Sequence, residues 1–440
     1  MPKTLTPKDA HVIMGALVRQ ATGQDNISVQ NTSDFISAGE MVLATGMENT
    51  FNSINLLMGR IIITSRPYQA LLTLMDSIET GEFTHRFEKV SFYSTDPLAS
   101  GNFNTDLFTN LADGFTAGEN KNAQGTAQST KSQWEQNQRP SKVFNFGGSD
   151  VWDTCITLYE DQVQQAFRNE AEFNAFIAGY IREHENDYES QREAFNRMIM
   201  LNKVAQVYDM STYMPGSVIN LTTEFNTKFG TNYTSQQLRT TYLKEFLEFF
   251  VAKFKIESGR MRERSAKYHW SVPITYRGQT ANILRHTPYN YQRVYLYEPM
   301  FKDAEAMVMP EIFNDDYLDL DTQYQGISYW QSNNSEAERS KVQVVPAIVQ
   351  ADTSNSAYGT QVAGASVSLD YVVGMICDVD AMLTDFQIET ARTTPVEARK
   401  GYRNTWLHIA KNGICDPTEN TILFIMDDSG VTTEDSGETP

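Results

Sequence analysis

Large apolar and charged residues repeat with a helical period over an unusually long stretch, Ala171 to Val207. Phe173, Phe176, Ile177, Tyr180, Ile181, Tyr188, Phe195, Met198 and Ile199 recur at spacings of three and four, and His184 fills the gap in the stripe. That repeat keeps one face of a helix apolar. No Pro interrupts the run and Gly179 is its only Gly. At about 1.5 Å per residue, roughly 37 residues make a rod about 55 Å long, around three times an ordinary globular helix. Arg182, Glu185, Glu189, Arg192, Glu193 and Arg197 occupy the opposite face, which is expected to meet water or a neighbouring subunit. The mixed aromatic seam carries no continuing heptad, which excludes a coiled coil. The flanks read as strands and loops rather than companion helices, so the helix is expected to lie as a spine across a sheet.

The chain before the spine opens with Thr6-Pro7, a capping hydroxyl followed by Pro at the first helical position, starting a helix to Thr22 that stops at Gly23. A second helix is expected from Phe35 to Met58, striped by Ile36, Leu43, Met47, Phe51, Ile54 and Met58. Two helices before any strand suggest an arm rather than a core. Ile61 to Ile63 reads as a short strand, and Thr84 to Phe92 alternates as a half-exposed one. Residues 94–142 are rich in Gly, Asn, Gln, Ser and Thr, with sparse anchors at Phe103, Leu107, Phe108, Leu111, Phe115 and Trp134. Structureless loops of this length are uncommon in compact domains. Recurring aromatics fit an extended hairpin that packs on something outside its own domain. Val143 to Phe146 is a strand, followed by a connector into the spine.

Beyond the spine, Thr234 and Gln237 form a capping-box pattern. It opens a helix striped by Leu238, Tyr242, Phe246, Phe249, Phe250 and Phe254. A strand at Val294 to Tyr297, a turn at Pro299, a helix from Asp303 to Met309 and a strand around Pro346 to Ile348 follow. The last strands are Val372 to Cys377, Ala381 to Thr390, Gly401 to Ile409 and Thr421 to Met426. From Asp427 the composition is that of a disordered acidic tail. The mixture of helices and strands is α+β or α/β in character.

Composition narrows the function. Four hundred and forty residues imply two or more compact units. A net charge of −19 opposes free nucleic-acid binding and anionic membrane surfaces. Cys155, Cys377 and Cys415 show no CxxC spacing, so neither a zinc site nor a disulfide framework is expected and a reducing cytosol is the default. No leader-like segment and no apolar run of spanning length is seen. The six His are scattered, His184 reads as a core residue, and no phosphate-loop, dinucleotide or serine-hydrolase sequence stands in the right context.

Asp315, Asp316, Asp319 and Asp321 are the densest acids. They read as a solvated face or one that meets a basic partner, with a carboxylate-dependent hydrolase as the rival from another class. Lys253, Lys255, Arg260, Arg262, Arg264 and Lys267 form the strongest basic cluster. Pairing of Arg262 and Arg264 with another subunit's acids, Asp316 and Asp319 foremost, is expected. No catalytic, cofactor-binding or metal-ligating residue is expected.

Two stretches carry a family resemblance. One is the strand, connector and long helix of Val143 to Tyr208. The other is Lys400-Gly401-Tyr402-Arg403-Asn404-Thr405-Trp406-Leu407-His408, continuing through Asp416-Pro417-Thr418-Glu419-Asn420-Thr421 to Met426. Together they resemble the major capsid protein of short-tailed double-stranded DNA phages, a family similar to the HK97 (Hong Kong 97) type capsid fold. Arg285-His286-Thr287-Pro288 and Met309-Pro310-Glu311-Ile312-Phe313 fall in order with it.

The resemblance implies an N-terminal arm (1–60) and an extended loop (94–142). It implies a peripheral domain (61–93, 143–208 and 371–428) with its spine at 171–207. An axial domain (209–370) and a disordered tail (429–440) complete the chain. It implies a non-enzymatic shell subunit that self-assembles into hexamers and pentamers around double-stranded DNA without sequence-specific contact. Portal and scaffolding proteins would be partners and no membrane would be involved. The place would be the virion, assembled in host bacterial cytoplasm. Inter-subunit contacts would fall on Phe103, Phe108, Phe115 and Trp134 of the loop. An encapsulin-like compartment shell is the alternative within the fold. Relatives that crosslink Lys to Asn make Lys121, Lys131 and Lys142 worth noting, but no catalytic carboxylate is evident and no crosslink is expected.

Overall fold

The structure is a computed structural model that describes residues 7–24, 28–46, 48–54, 72, 74–78, 86–94, 140–147, 150–168, 170–276, 279–302 and 324–429. The expected strand at Ile61 to Ile63 and the helix at Asp303 to Met309 lie outside these residues.

Helix α1 (Pro7–Thr22) ends at Gly23, whose φ of 71° suits a residue without Cβ. Helix α2 (Thr32–Ala44) starts earlier than expected because Asn31 caps it, its side chain accepting from the Asp34 N–H. The long second helix expected to Met58 is broken: Gly46 takes a φ of 100°, and a separate helical segment follows at 48–54. The two helices are also more than an arm. Phe35, Phe51 and Phe173 are fully buried together with Met14, Leu17, Val42, Val163 and Phe167, a second core. Phe35 meets Phe173 edge-on at 5.4 Å. Such rings bury large apolar area, so this end has its own hydrophobic stabilisation.

After β1 (Asp76–Ile78), strands β2 (Arg86–Phe92) and β3 (Ser141–Gly147) pair as an antiparallel hairpin. The expected connector into the spine is mostly a strand, β4 (Asp150–Tyr159), followed by a short helix α3 (Glu160–Ala166). Its alternation of Trp152, Thr154, Ile156 and Leu158 with Asp153, Cys155 and Thr157 is the strand period. The spine is α4 (Glu170–Asp209), 40 residues long.

β5 (Val218–Asn220) leads to α5 (Leu221–Phe229), then α6 (Ser235–Thr240), which opens on the expected capping box at Thr234 and Gln237. The helix breaks at Thr241 and resumes as α7 (Leu243–Met261), with Phe246, Phe249, Phe250 and Phe254 buried. A small pair, β6 (Ile274–Tyr276) and β7 (Gln279–Ala281), precedes β8 (Gln292–Tyr297). Pro299 sits in the short helix α8 (Glu298–Lys302) rather than a turn. β9 (Tyr324–Ile327), β10 (Val342–Val344), β11 (Ala347–Val349), β12 (Gln361–Ala363) and β13 (Val367–Leu369) follow. The chain closes on β14 (Val372–Asp378), β15 (Met382–Thr393), β16 (Tyr402–Cys415) and β17 (Thr421–Ile425).

Two sheets organise this α+β chain: β1-β15-β16-β4 and β5-β17-β14-β8-β9. The last four strands were expected to close one unit with the spine. Instead β15 and β16 join the first sheet while β14 and β17 lie at the centre of the second, between strands from 218–327. All residues of β14 and β17 are buried, so both faces of that sheet are covered. The spine packs against strands of both sheets. Gly413 of β16 permits the close approach, since a Cβ there would stand 2.7 Å from Ile199 of the spine.

The charged face of the spine is not free. Arg197 pairs with Glu193 at 3.1 Å and its guanidinium stands 3.8 Å from the Tyr329 ring, donating to the Tyr329 and Trp330 carbonyls. Arg192 pairs with Glu189. Conversely Met198, placed on the apolar stripe by its spacing, is 55% exposed. The tail is also held further than expected. Asp428 accepts the Ser235 N–H at the start of α6, and the Asp427 carbonyl accepts from Asn220.

Candidate functional site

The β2–β3 hairpin has two unlike faces. Directly opposed residues in an antiparallel pair share a face. Lys89 opposite Phe144 and Ser91 opposite Lys142 set the inner face; Val90 opposite Val143 and Phe92 opposite Ser141 set the outer. Val90 is 53% and Phe92 61% exposed, whereas Ser91 and Tyr93 are buried.

The inner face is fixed by charge. The Lys89 amine donates to the Asp416 and Glu419 carboxylates and, at 3.3 Å, to the Thr418 hydroxyl. Arg285 donates to Ser91 Oγ at 2.7 Å and to the Thr418 carbonyl, and stands 3.3 Å from Glu419. Tyr93 Oη donates to the Val272 carbonyl at 2.8 Å, and Ser94 N–H to Asn282. Burial alone would lower the Lys89 amine, but the two carboxylates outweigh it and hold its pKa above the usual value. Burial pushes both acids up. At Asp416 the Lys89 charge and the Thr418 donors win, so its pKa is lowered, whereas Glu419 stays raised. The cluster is thus an anchored ion group with unequal acids.

The turn between β16 and β17 that supplies these acids is itself enclosed. Asp416 Oδ1 accepts from the Thr418 N–H and hydroxyl, closing a local turn. Lys203 of the spine, fully buried, donates to the Asp416 carbonyl at 2.6 Å, and burial holds its pKa down. His269 lies between Asn420 Oδ1 at 2.9 Å and the Ile283 carbonyl at 2.8 Å, its pKa lowered by burial. Spine, hairpin and both sheets therefore meet at one polar knot.

A groove of about 980 Å³ runs between β3, the spine and the 344–361 segment. Val143, Met198 and Val345 line it and are all exposed. Its polar walls are engaged: Asn202 and Gln206 both bond the Ala347 backbone. Polar side chains line it as well, Asn145, Gln361 and Asn412 among them.

The chain is similar to chains of phage heads. One, from the capsid of Staphylococcus phage Andhra, is 11% identical, with 83% of this chain and 86% of that chain covered and a TM-score of 0.49. Another, from the head fibre and inner core protein structure of bacteriophage P68, is 11% identical over 80% and 83%, with a TM-score of 0.43. A third, from the capsid of Cyanophage P-SCSP1u, is 10% identical over 82% and 89%, with a TM-score of 0.36. No protein-family model matches the chain. No curated protein matches it either.

Of the residues singled out by sequence, Phe103, Phe108, Phe115, Trp134, Asp316 and Asp319 lie outside the described residues. Arg262 and Arg264 are exposed on the turn after α7. Within the wider basic run, Lys253 pairs with Glu224 and Glu257, and Arg260 with Glu257. The anchor residues Lys89, Arg285, Asp416 and Glu419 were not singled out for chemistry. A lysine at an inward position of an alternating strand was the available signal, but its partners lie 327 and 330 positions away. Among the described residues no cluster of His, Cys, Asp and Glu could hold a metal, and no helix is long and apolar enough to cross a membrane.

Proposed function

We propose that this chain is the major capsid protein of a double-stranded DNA phage, a structural subunit that self-assembles into hexamers and pentamers of an icosahedral shell. The observation that carries the reading is the hairpin. Its root is held by buried charges while Val90, Phe92 and Val143 face outward without cover from the described residues. Rigid display of apolar surface suits contact with another subunit, because ordering is already complete before association. The spine and two interlocked sheets supply a stiff body, and the resemblance of the 400–426 segment points the same way. Its role is structural rather than catalytic. The virion is its place, host bacterial cytoplasm its site of assembly, and portal and scaffolding proteins its partners.

Expression of the full chain followed by size-exclusion chromatography and negative-stain microscopy tests this. Closed shells, or separate hexamers and pentamers, are expected. A chain that stays monomeric at every concentration sinks the proposal, and an enzyme cargo in place of DNA would favour a compartment shell.

A further inference from the structure

The turn that follows α7 gathers three exposed cations, Arg262, Arg264 and Lys267, within six residues. Arg262, Arg264 and Lys267 are exposed and none of them forms an ion pair among the described residues. Most described cations nearby are spoken for, including Lys253, Arg260, Arg285 and Arg293. Glu263 is the one acid within the turn.

The turn is also held rigidly. Arg262 and Glu263 N–H groups bond the last carbonyls of α7, at Gly259 and Arg260. Ser265 and Arg285 exchange both backbone hydrogen bonds, at 2.9 and 3.0 Å. The Lys267 carbonyl accepts from Gly216 at 3.1 Å, and the Lys267 stem lies so close over Gly216 that a Cβ there would be 2.6 Å away. The Arg262 guanidinium stands 4.5 Å from the centre of the Tyr289 ring, and Tyr291 beside it is 52% exposed. Arg262 and Lys267, resting on ring and backbone surfaces, lose little freedom on binding, which is how a contact site is preorganised.

We infer that Arg262, Arg264 and Lys267 form a docking surface for carboxylates on a second copy of this chain. This rests on the capsid reading and names one contact within it. Charge decides the partner. Each copy carries 55 acids against 36 Lys and Arg, so neighbouring copies repel unless unspent cations meet acids at their contact. The same excess of acid repels nucleic-acid phosphates from the molecule as a whole.

The test mixes unlabelled and nitrogen-15-labelled full-length chain, allows assembly, and treats it with a carbodiimide, which joins an amine to a carboxylate in direct contact. The expected product is a Lys267 peptide coupled to an acidic peptide of the other isotope, lost at about 1 M salt, where the screening length falls to roughly 3 Å. Arg262→Glu with Arg264→Glu should leave the circular dichroism spectrum unchanged and cut particle yield about tenfold at physiological salt, where charges act over about 8 Å. The Arg262→Gln, Arg264→Gln pair should fall between. Particles that form without mixed-isotope coupling at Lys267, and a reversal variant that assembles normally, overturn this inference and leave the capsid reading intact. A wild-type chain that never associates overturns both. A reversal variant that assembles but no longer retains double-stranded DNA assigns the surface to phosphate and overturns the carboxylate partner.

Discussion

Lys89 shows what one residue contributes to this molecule. Its amine is the shared partner of two acids that are otherwise buried. Removing one member of such a group leaves uncompensated charge, which costs about 3–5 kcal/mol, whereas replacing all members by neutral groups is far milder. Lys89→Ala should therefore lower the free energy of unfolding by about that amount. Adding Asp416→Asn and Glu419→Gln should recover part of it, since Arg285 then loses its contact with Glu419. Urea titration followed by circular dichroism reads both. The pH dependence follows from the signs. Asp416 has its folded pKa depressed, so its contribution is present above the unfolded value and is lost as pH falls through the folded one. Lys89 has its folded pKa raised, so its contribution is present below the unfolded lysine value and is lost as pH rises through the folded one. Lys89→Ala should flatten both the acid and alkaline limbs. An unchanged acid limb would mean that Asp416 is not held by this lysine.

At the scale of elements, the contact between spine and β16 is controlled by a missing side chain. Gly413 faces Ile199, whose Cδ1 and Cγ1 would both lie 2.7 Å from an added Cβ. Overpacking of this kind typically costs about 1–3 kcal/mol. Gly413→Val should show that loss in thermal or urea unfolding, and Ile199→Ala in the same chain should return part of it because the obstruction is a side chain. If the double variant is no better than the sum of the single changes, the two elements do not meet through this pair. Gly413 and Ile199 are 214 positions apart in sequence. Gly413 also lies beyond the strand expected at Gly401 to Ile409, so no local pattern announced the pairing.

Over the whole molecule, the proposed shell contact can be separated from folding at the hairpin. Its strands leave and re-enter at one place, where the Tyr93 N–H bonds the Pro140 carbonyl at 3.0 Å. Residues 95–139 can accordingly be replaced by a short Gly-Ser turn without stretching the body. The replaced chain should keep its circular dichroism spectrum and melting temperature while particle yield collapses, since the aromatic anchors Phe103, Phe108, Phe115 and Trp134 are proposed to act between subunits. Loss of folding would place the segment in the chain's own core instead.

What the sequence determined by itself are the elements whose signal is local. The 171–207 periodicity lies within a helix of 40 residues, and Thr234 and Gln237 do form the capping box. β14 and β17 lie within a residue of their expected bounds, whereas β15 and β16 run on to Thr393 and Cys415. Backbone hydrogen bonds and side-chain periodicity at spacings of two to four residues suffice to encode these. Partnership needed the tertiary structure. Only folding sends β14 and β17 to the second sheet, docks Arg197 on Tyr329, and joins Lys89 to acids more than 300 residues away. It also turns two helices read as an arm into a core around Phe35 and Phe173. A lone lysine, a run of valines or an exposed methionine reads alike in any context, because burial and charge compensation are properties of what the chain brings alongside, not of the residue itself.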